Sequence, residues 1–213
     1  LAIVGCPQEQ ASRNRVTMHR LDLSTGPHAG PWQRPAARRT RERPAQTGPA
    51  AWGKVRGSRE WRYIVVHHSA TDSGNAAEFD RIHRAPPNNF DELGYHFVID
   101  NGRGGPDGQV EVGSRWVKQK WGAHTGGTPD NEYNEHGIGI CLVGDFCDGM
   151  PSRAQLASLR RLIRYLCDRH GIPPHRVIGH CDAPAAATLC PGPTFHGYLV
   201  GTFRDELRRY ASR

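Results

Sequence analysis

A chain of 213 residues and 23.6 kDa is sized for one enzyme-like core with an appendage, which excludes a large multidomain assembly. Hydrophobic residues at 37% and charged residues at 23% exclude uniform disorder, and no run nears the ~18–20 apolar residues that a membrane-spanning helix needs. The net charge of +7 lies wholly in residues 1–58, where ten Lys and Arg face three Asp and Glu.

Those first 58 residues also carry six Pro and six Gly, few aliphatics after Leu23, and the basic patch Arg38-Arg39-Thr40-Arg41-Glu42-Arg43. Such a stretch buries too little apolar surface to offset chain entropy, so residues 24–58 are expected to be a flexible, disordered linker. A solvated spacer explains the basic charge without a specific nucleic-acid partner. Near its start, Ile3-Val4-Gly5-Cys6 resembles the lipobox of bacterial lipoproteins, which would make Cys6 an acylated membrane tether. The six cysteines, at 6, 141, 147, 167, 181 and 190, contain no CxxC pair and no dense framework, so any pairing among Cys141, Cys147, Cys167 and Cys181 stays open.

From residue 59 the pattern becomes that of a compact α/β domain spanning 59–213. Tyr63-Ile64-Val65-Val66-His67 is a β-branched run that reads as a buried strand. Phe79, Ile82 and His83 sit at helical spacing in a helix over 76–84, stopped by Pro86-Pro87. Strands follow over 94–100 and 109–112, joined by a Gly- and Asp-rich turn, and over 137–144. Ser152 and Gln155 form a capping box for a helix whose Leu156, Leu159, Leu162, Ile163 and Leu166 share one face and which ends at Gly171. A strand over 175–179 and a closing helix over 198–210 complete the series. Strands separated by helical crossovers predict a mixed central β-sheet flanked by helices.

The chemistry gathers at strand ends. His67 and His68 point to opposite faces of their strand, so only one of them can serve a given site. His180 ends another strand, and Cys190 follows ten residues later. Two imidazoles and a thiolate with one open position are a catalytic zinc set, although no local zinc spacing applies across so long a gap. Cys181, beside His180, is a rival sulfur. His83, His136, His170, His175 and His196 read as solvated or capping residues, and Trp116 and Trp121 as either core or a flat surface for sugar rings.

The segments Val65-Val66-His67-His68-Ser69-Ala70-Thr71, Leu93-Gly94-Tyr95-His96-Phe97-Val98-Ile99, Gly122-Ala123-His124, the glycine-rich strand 137–144, Gly179-His180 and Cys190-Pro191-Gly192 occur in that order. Together they resemble the type 2 N-acetylmuramoyl-L-alanine amidases, a family that includes small phage lysozyme-type amidases and the catalytic peptidoglycan recognition proteins. The resemblance runs from about residue 62 to 205. It implies one zinc ion held by His67, His180 and Cys190, with Tyr95 assisting catalysis. It implies Thr188 at a position where phage members carry lysine and recognition proteins threonine, and His124 and Asn134 beside the substrate groove. The implied reaction is hydrolysis of the amide between N-acetylmuramic acid and L-alanine in peptidoglycan or muropeptides, by a monomer working in the cell envelope or outside the cell. The alternative on the same scaffold is a non-catalytic peptidoglycan-binding receptor, whose members typically lack the metal-binding cysteine. One departure stands out: the interval from His180 to Cys190 is about two residues longer than is usual in that family, so its loop must bulge.

Overall fold

The computed structural model describes residues 49–53 and 55–212. The lipobox residues, Cys6 and the basic patch lie outside them.

Five strands form one sheet in the order β3-β2-β4-β1-β5. They are β1 (Tyr63–His68), β2 (Phe97–Ile99), β3 (Val110–Val112), β4 (Gly137–Leu142) and β5 (Val177–Gly179). Strand β1 runs parallel to both β4 and β5, β2 runs parallel to β4, and only β3 is antiparallel, paired with β2. This is the mixed sheet with flanking helices expected from the alternation of elements. Strand β1 is flanked by β4 and β5, and Ile64, Val65 and Val66 are all buried, so the run reads as continuously apolar rather than alternating.

Seven helices accompany the sheet among the described residues: α1 (Pro49–Trp52), α2 (Ala76–Arg84), α3 (Ser114–Lys118), α4 (Glu132–Glu135), α5 (Arg153–His170), α6 (Pro193–Tyr198) and α7 (Arg204–Ala211). Helix α5 begins and ends where its local signals place it. Ser152 accepts from Gln155 N at 3.0 Å, Gln155 Oε1 accepts from Ser152 N at 3.0 Å, and Gly171 closes the helix at φ 65°. Leu159, Leu162, Ile163 and Leu166 are fully buried in the core cluster that contains Ile64, Phe97, Ile140 and Phe195. Gln155 also donates through Nε2 to the carbonyls of Ile99 and Val143, tying α5 to the ends of β2 and β4.

Several bounds differ from the expectation. The strand expected over 94–100 shrinks to β2, because Gly94 gives its carbonyl to Ala123 N at 3.0 Å and Tyr95 borders a pocket. The 175–179 strand loses its start to a 3-10 turn, Pro174–Arg176. The closing helix begins five residues early, at Pro193, and passes through a widened π turn, Leu199–Phe203, before α7.

The segment expected to be linker up to residue 58 is not uniform at its end. Trp52 is 1% exposed, packs edge-on against Tyr165 and gives its carbonyl to Trp116 Nε1 at 2.7 Å. Trp116 is itself fully buried, so it is a core residue. Cys147 is held in a disulfide while Cys141, Cys167 and Cys181 are free thiols, so no pairing occurs among those four.

Candidate metal centre and its pocket

The register of the sheet delivers the site. Val66 pairs with Gly179 across the parallel strands β1 and β5, so the next residues, His67 and His180, leave the carboxyl ends of neighbouring strands side by side. That edge of an open parallel sheet is where ligands bind in α/β folds. Their rings lie 4.7 Å apart. Cys190 reaches them because the 181–190 loop closes on itself: Cys181 N donates to Cys190 O at 2.8 Å. Within that loop Ala185 adopts φ 63°, in the left-handed region.

One ligand atom from each of His67, His180 and Cys190 lies within 4.8 Å of the others, and all three residues are buried. His67 Nδ1 stands 3.7 Å from Cys190 Sγ. Zinc bonds of about 2.1 Å to nitrogen and 2.3 Å to sulfur at tetrahedral angles place two ligand atoms about 3.6 Å apart, so this edge already has the right length. His180 Nδ1 is buried without a hydrogen-bond partner, and a cation held by its lone pair would satisfy it. Burial pushes His67 well below the usual imidazole range, with the His180 and His124 rings adding to the shift. Burial likewise brings His180 down to about 4. Both imidazoles are therefore neutral, the form that ligates metal. The residues fit a zinc ion.

His68 turns to the opposite face, as strand alternation requires, and its Nδ1 accepts from Phe146 N at 3.3 Å. Its backbone N–H donates to Cys190 Sγ at 3.4 Å. Cys181 is not part of the cluster; its ligand atom groups instead with Asp182 and His196, where His196 Nε2 meets Asp182 Oδ1 at 2.8 Å.

A cavity of about 370 Å³ opens over the cluster. Tyr95 is half-buried in its wall, its ring 5.2 Å from that of His67. Burial, reinforced by the neighbouring Cys141 and Cys190 sulfurs, raises its phenol well above the usual range, so the O–H stays a donor. Thr188 is half-buried and does not line the cavity; its Oγ1 accepts from Cys190 N at 3.1 Å.

His124 and Asn134 both line the cavity. Asn134 Oδ1 accepts from the backbone N–H groups of His124 and Thr125 at 2.8 and 2.9 Å, and its Nδ2 donates to Thr125 O and Asn131 Oδ1. It clamps the loop that carries His124.

Sequence reasoning passed over His83, which reads as a solvated helical residue. Its Nδ1 accepts from Gly94 N at 2.9 Å, and its ring packs 5.3 Å from Tyr95 and 5.4 Å from Phe90 in the cavity wall. Its place four residues after the buried Phe79 is the signal that marks it as inward-facing. Trp121 is 45% exposed, lies beneath Arg59 and Lys120, and does not line this cavity.

A family model described as N-acetylmuramoyl-L-alanine amidase matches residues 57–193. The chain is 29% identical over 150 residues to an N-acetylmuramoyl-L-alanine amidase of Sus scrofa, covering 64% of this chain and only 22% of the pig protein. It is 30% identical over 138 residues to a peptidoglycan-recognition protein of Drosophila melanogaster, covering 62% of this chain and 68% of that one. Among solved structures it is similar to the N-acetylmuramoyl-L-alanine amidase LysC from Clostridium intestinale URNW, with a TM-score of 0.57 and 26% identity over 70% of this chain and 87% of LysC. With that match across most of the described domain, over a sheet whose strand ends converge on two imidazoles and a thiol, the chain belongs to the N-acetylmuramoyl-L-alanine amidase family.

Proposed function

We propose that this chain is a zinc-dependent amidase that hydrolyses the bond between the lactyl group of N-acetylmuramic acid and L-alanine, in peptidoglycan or its fragments, in the cell envelope or outside the cell. The observation that carries this reading is the buried cluster of His67, His180 and Cys190 at the floor of the cavity. When bound there, zinc supplies Lewis acidity and brings the pKa of water from about 15.7 to about 7.

The chain's own groups serve that chemistry. Two neutral imidazoles and one thiolate leave a divalent ion with net positive charge, which favours an oxygen gaining negative charge. In this reading the Tyr95 phenol, which stays protonated at physiological pH in the cavity wall and bonds Cys141 in the unliganded chain, donates a hydrogen bond to that oxygen. The Thr188 hydroxyl is held beside Cys190. Ile82 and Phe90 give the cavity an apolar wall, and among the described residues no Asp, Glu, Lys or Arg lines it, which suits an uncharged scissile amide. His124 and Asn134 border the same space, next to sugar or peptide.

A receptor would need the groove but not a thiol against two imidazoles, so Cys190 favours hydrolysis. The test is digestion of purified peptidoglycan. New L-alanine amino termini without new reducing sugars are expected, lost with a chelator and restored by zinc. Binding without cleavage in zinc-loaded protein would leave the receptor reading.

A further inference from the structure

The geometry points to His124 as a positioning residue that fixes the tautomer of His67, so that a lone pair and not a proton on His67 Nδ1 faces Cys190. This rests on the zinc reading above and adds to it a source of ligand orientation.

A contact of 3.2 Å joins His124 Nε2 to the carbonyl oxygen of Gly137. A carbonyl can only accept, so in the neutral imidazole the proton sits on Nε2. The single remaining lone pair, on His124 Nδ1, faces His67 Nε2 at 3.1 Å and the Thr125 hydroxyl at 2.8 Å. The hydroxyl can rotate its proton; the imidazole cannot. His67 therefore satisfies this contact by carrying its own proton on Nε2 and donating it. Its Nδ1 is then bare, and that is the atom 3.7 Å from Cys190 Sγ. The opposite tautomer would aim an N–H at the metal position. An imidazole that donates its second nitrogen's proton to an acceptor is also a more basic ligand.

The surroundings are built to hold this ring. A Cβ on Gly139 or Gly122 would come within 2.3 Å of His124 Cδ2, so both positions exclude any side chain. Asn134 spends every hydrogen-bonding site on the backbone around His124 and on Asn131. His124 is 7% exposed.

The experiment begins with the metal-free full chain and two-bond proton–nitrogen correlation spectra of its histidine rings. His67 and His124 are each expected to carry their proton on Nε2. In His124→Leu the His67 tautomers should mix, and zinc affinity, measured by chelator competition, should fall by about tenfold to a hundredfold. His124→Asn sets a carboxamide oxygen near the Nδ1 position and should hold zinc within about threefold of wild type. A proton on His67 Nδ1 in the unaltered protein, or unweakened zinc binding in a folded His124→Leu, overturns the assignment. If the unaltered protein keeps the Nε2 tautomer yet takes up no zinc, the positioning stands and the amidase reading fails.

Discussion

An imidazole can ligate a metal only through a bare nitrogen, and a thiol only after it gives up its proton, so the environment of each donor decides its use. Cys190 and Cys181 differ in this respect despite both being near His180. Cys190 is buried against His67 and accepts an N–H from His68, whereas Cys181 sits on the loop surface beside Asp182 and His196. Cys190→Ala should therefore abolish stoichiometric zinc and lower kcat/KM by about a thousandfold or more, with the fold retained by circular dichroism. Cys181→Ala should keep most of both, and zinc loss in that variant instead would reassign the sulfur ligand. Tyr95 invites a separate measurement, since its ring packs between His67 and His83 and its hydroxyl is a donor. Tyr95→Phe preserves the packing and removes the donor; kcat should drop by about a hundredfold with KM little changed. An unaltered kcat would make the residue a wall of the pocket and nothing more.

Elements were legible in the sequence to the extent that their signals are local. The bounds of α5 follow from Ser152, Gln155 and Gly171, each of which acts within one turn of the helix end. Helix α2 likewise starts after Asn75, whose side chain accepts from Glu78 N at 2.8 Å. The early start of α6 had its own sign in Gly192-Pro193, since proline suits the first helical position, but the apolar spacing of Leu199, Phe203 and Leu207 drew attention further along. The short helices α3 and α4 have no periodic stripe to reveal them. The glycines of β4 announced close packing without naming the partners, which are the Tyr133 carbonyl at Gly137 and the His124 ring at Gly139, because those approaches are set by tertiary contact. The capping box offers a clean test. Ser152→Ala removes the acceptor for Gln155 N and the bond from Ser152 Oγ to Asp107, and should cost about 1 kcal/mol, seen as a fall of about 2–4 °C in Tm. A change within error would show that Gln155, anchored to Ile99 and Val143, holds the helix end alone.

At the scale of the whole molecule, what the sequence could not disclose is convergence. His67 and His180 are far apart in the chain, and only the β1–β5 register sets them together; Trp52 likewise enters the core across a stretch whose composition reads as linker. A second convergence adds to how the protein responds to pH. Asp100 is fully buried at the end of β2, where its carboxyl shares a hydrogen bond with that of Glu111. The turn that seals it passes so close that a Cβ on Gly105 would sit 2.0 Å from Asp100 Oδ2. Burial, and then the neighbouring Glu111 carboxylate, push the Asp100 carboxyl up to about 8. At this site the folded chain thus keeps a proton that the unfolded chain releases near pH 4, so Asp100 by itself contributes a loss of stability as pH rises from about 4 to about 8, opposite in sign to the contribution of the buried neutral histidines. Asp100→Asn replaces the protonated acid with a neutral group of the same shape and has no proton to lose. In thermal denaturation the Tm of the variant minus that of the unaltered chain should be larger at pH 8 than at pH 5. Equal slopes would mean that Asp100 ionises in the fold, with the loop opening to admit water.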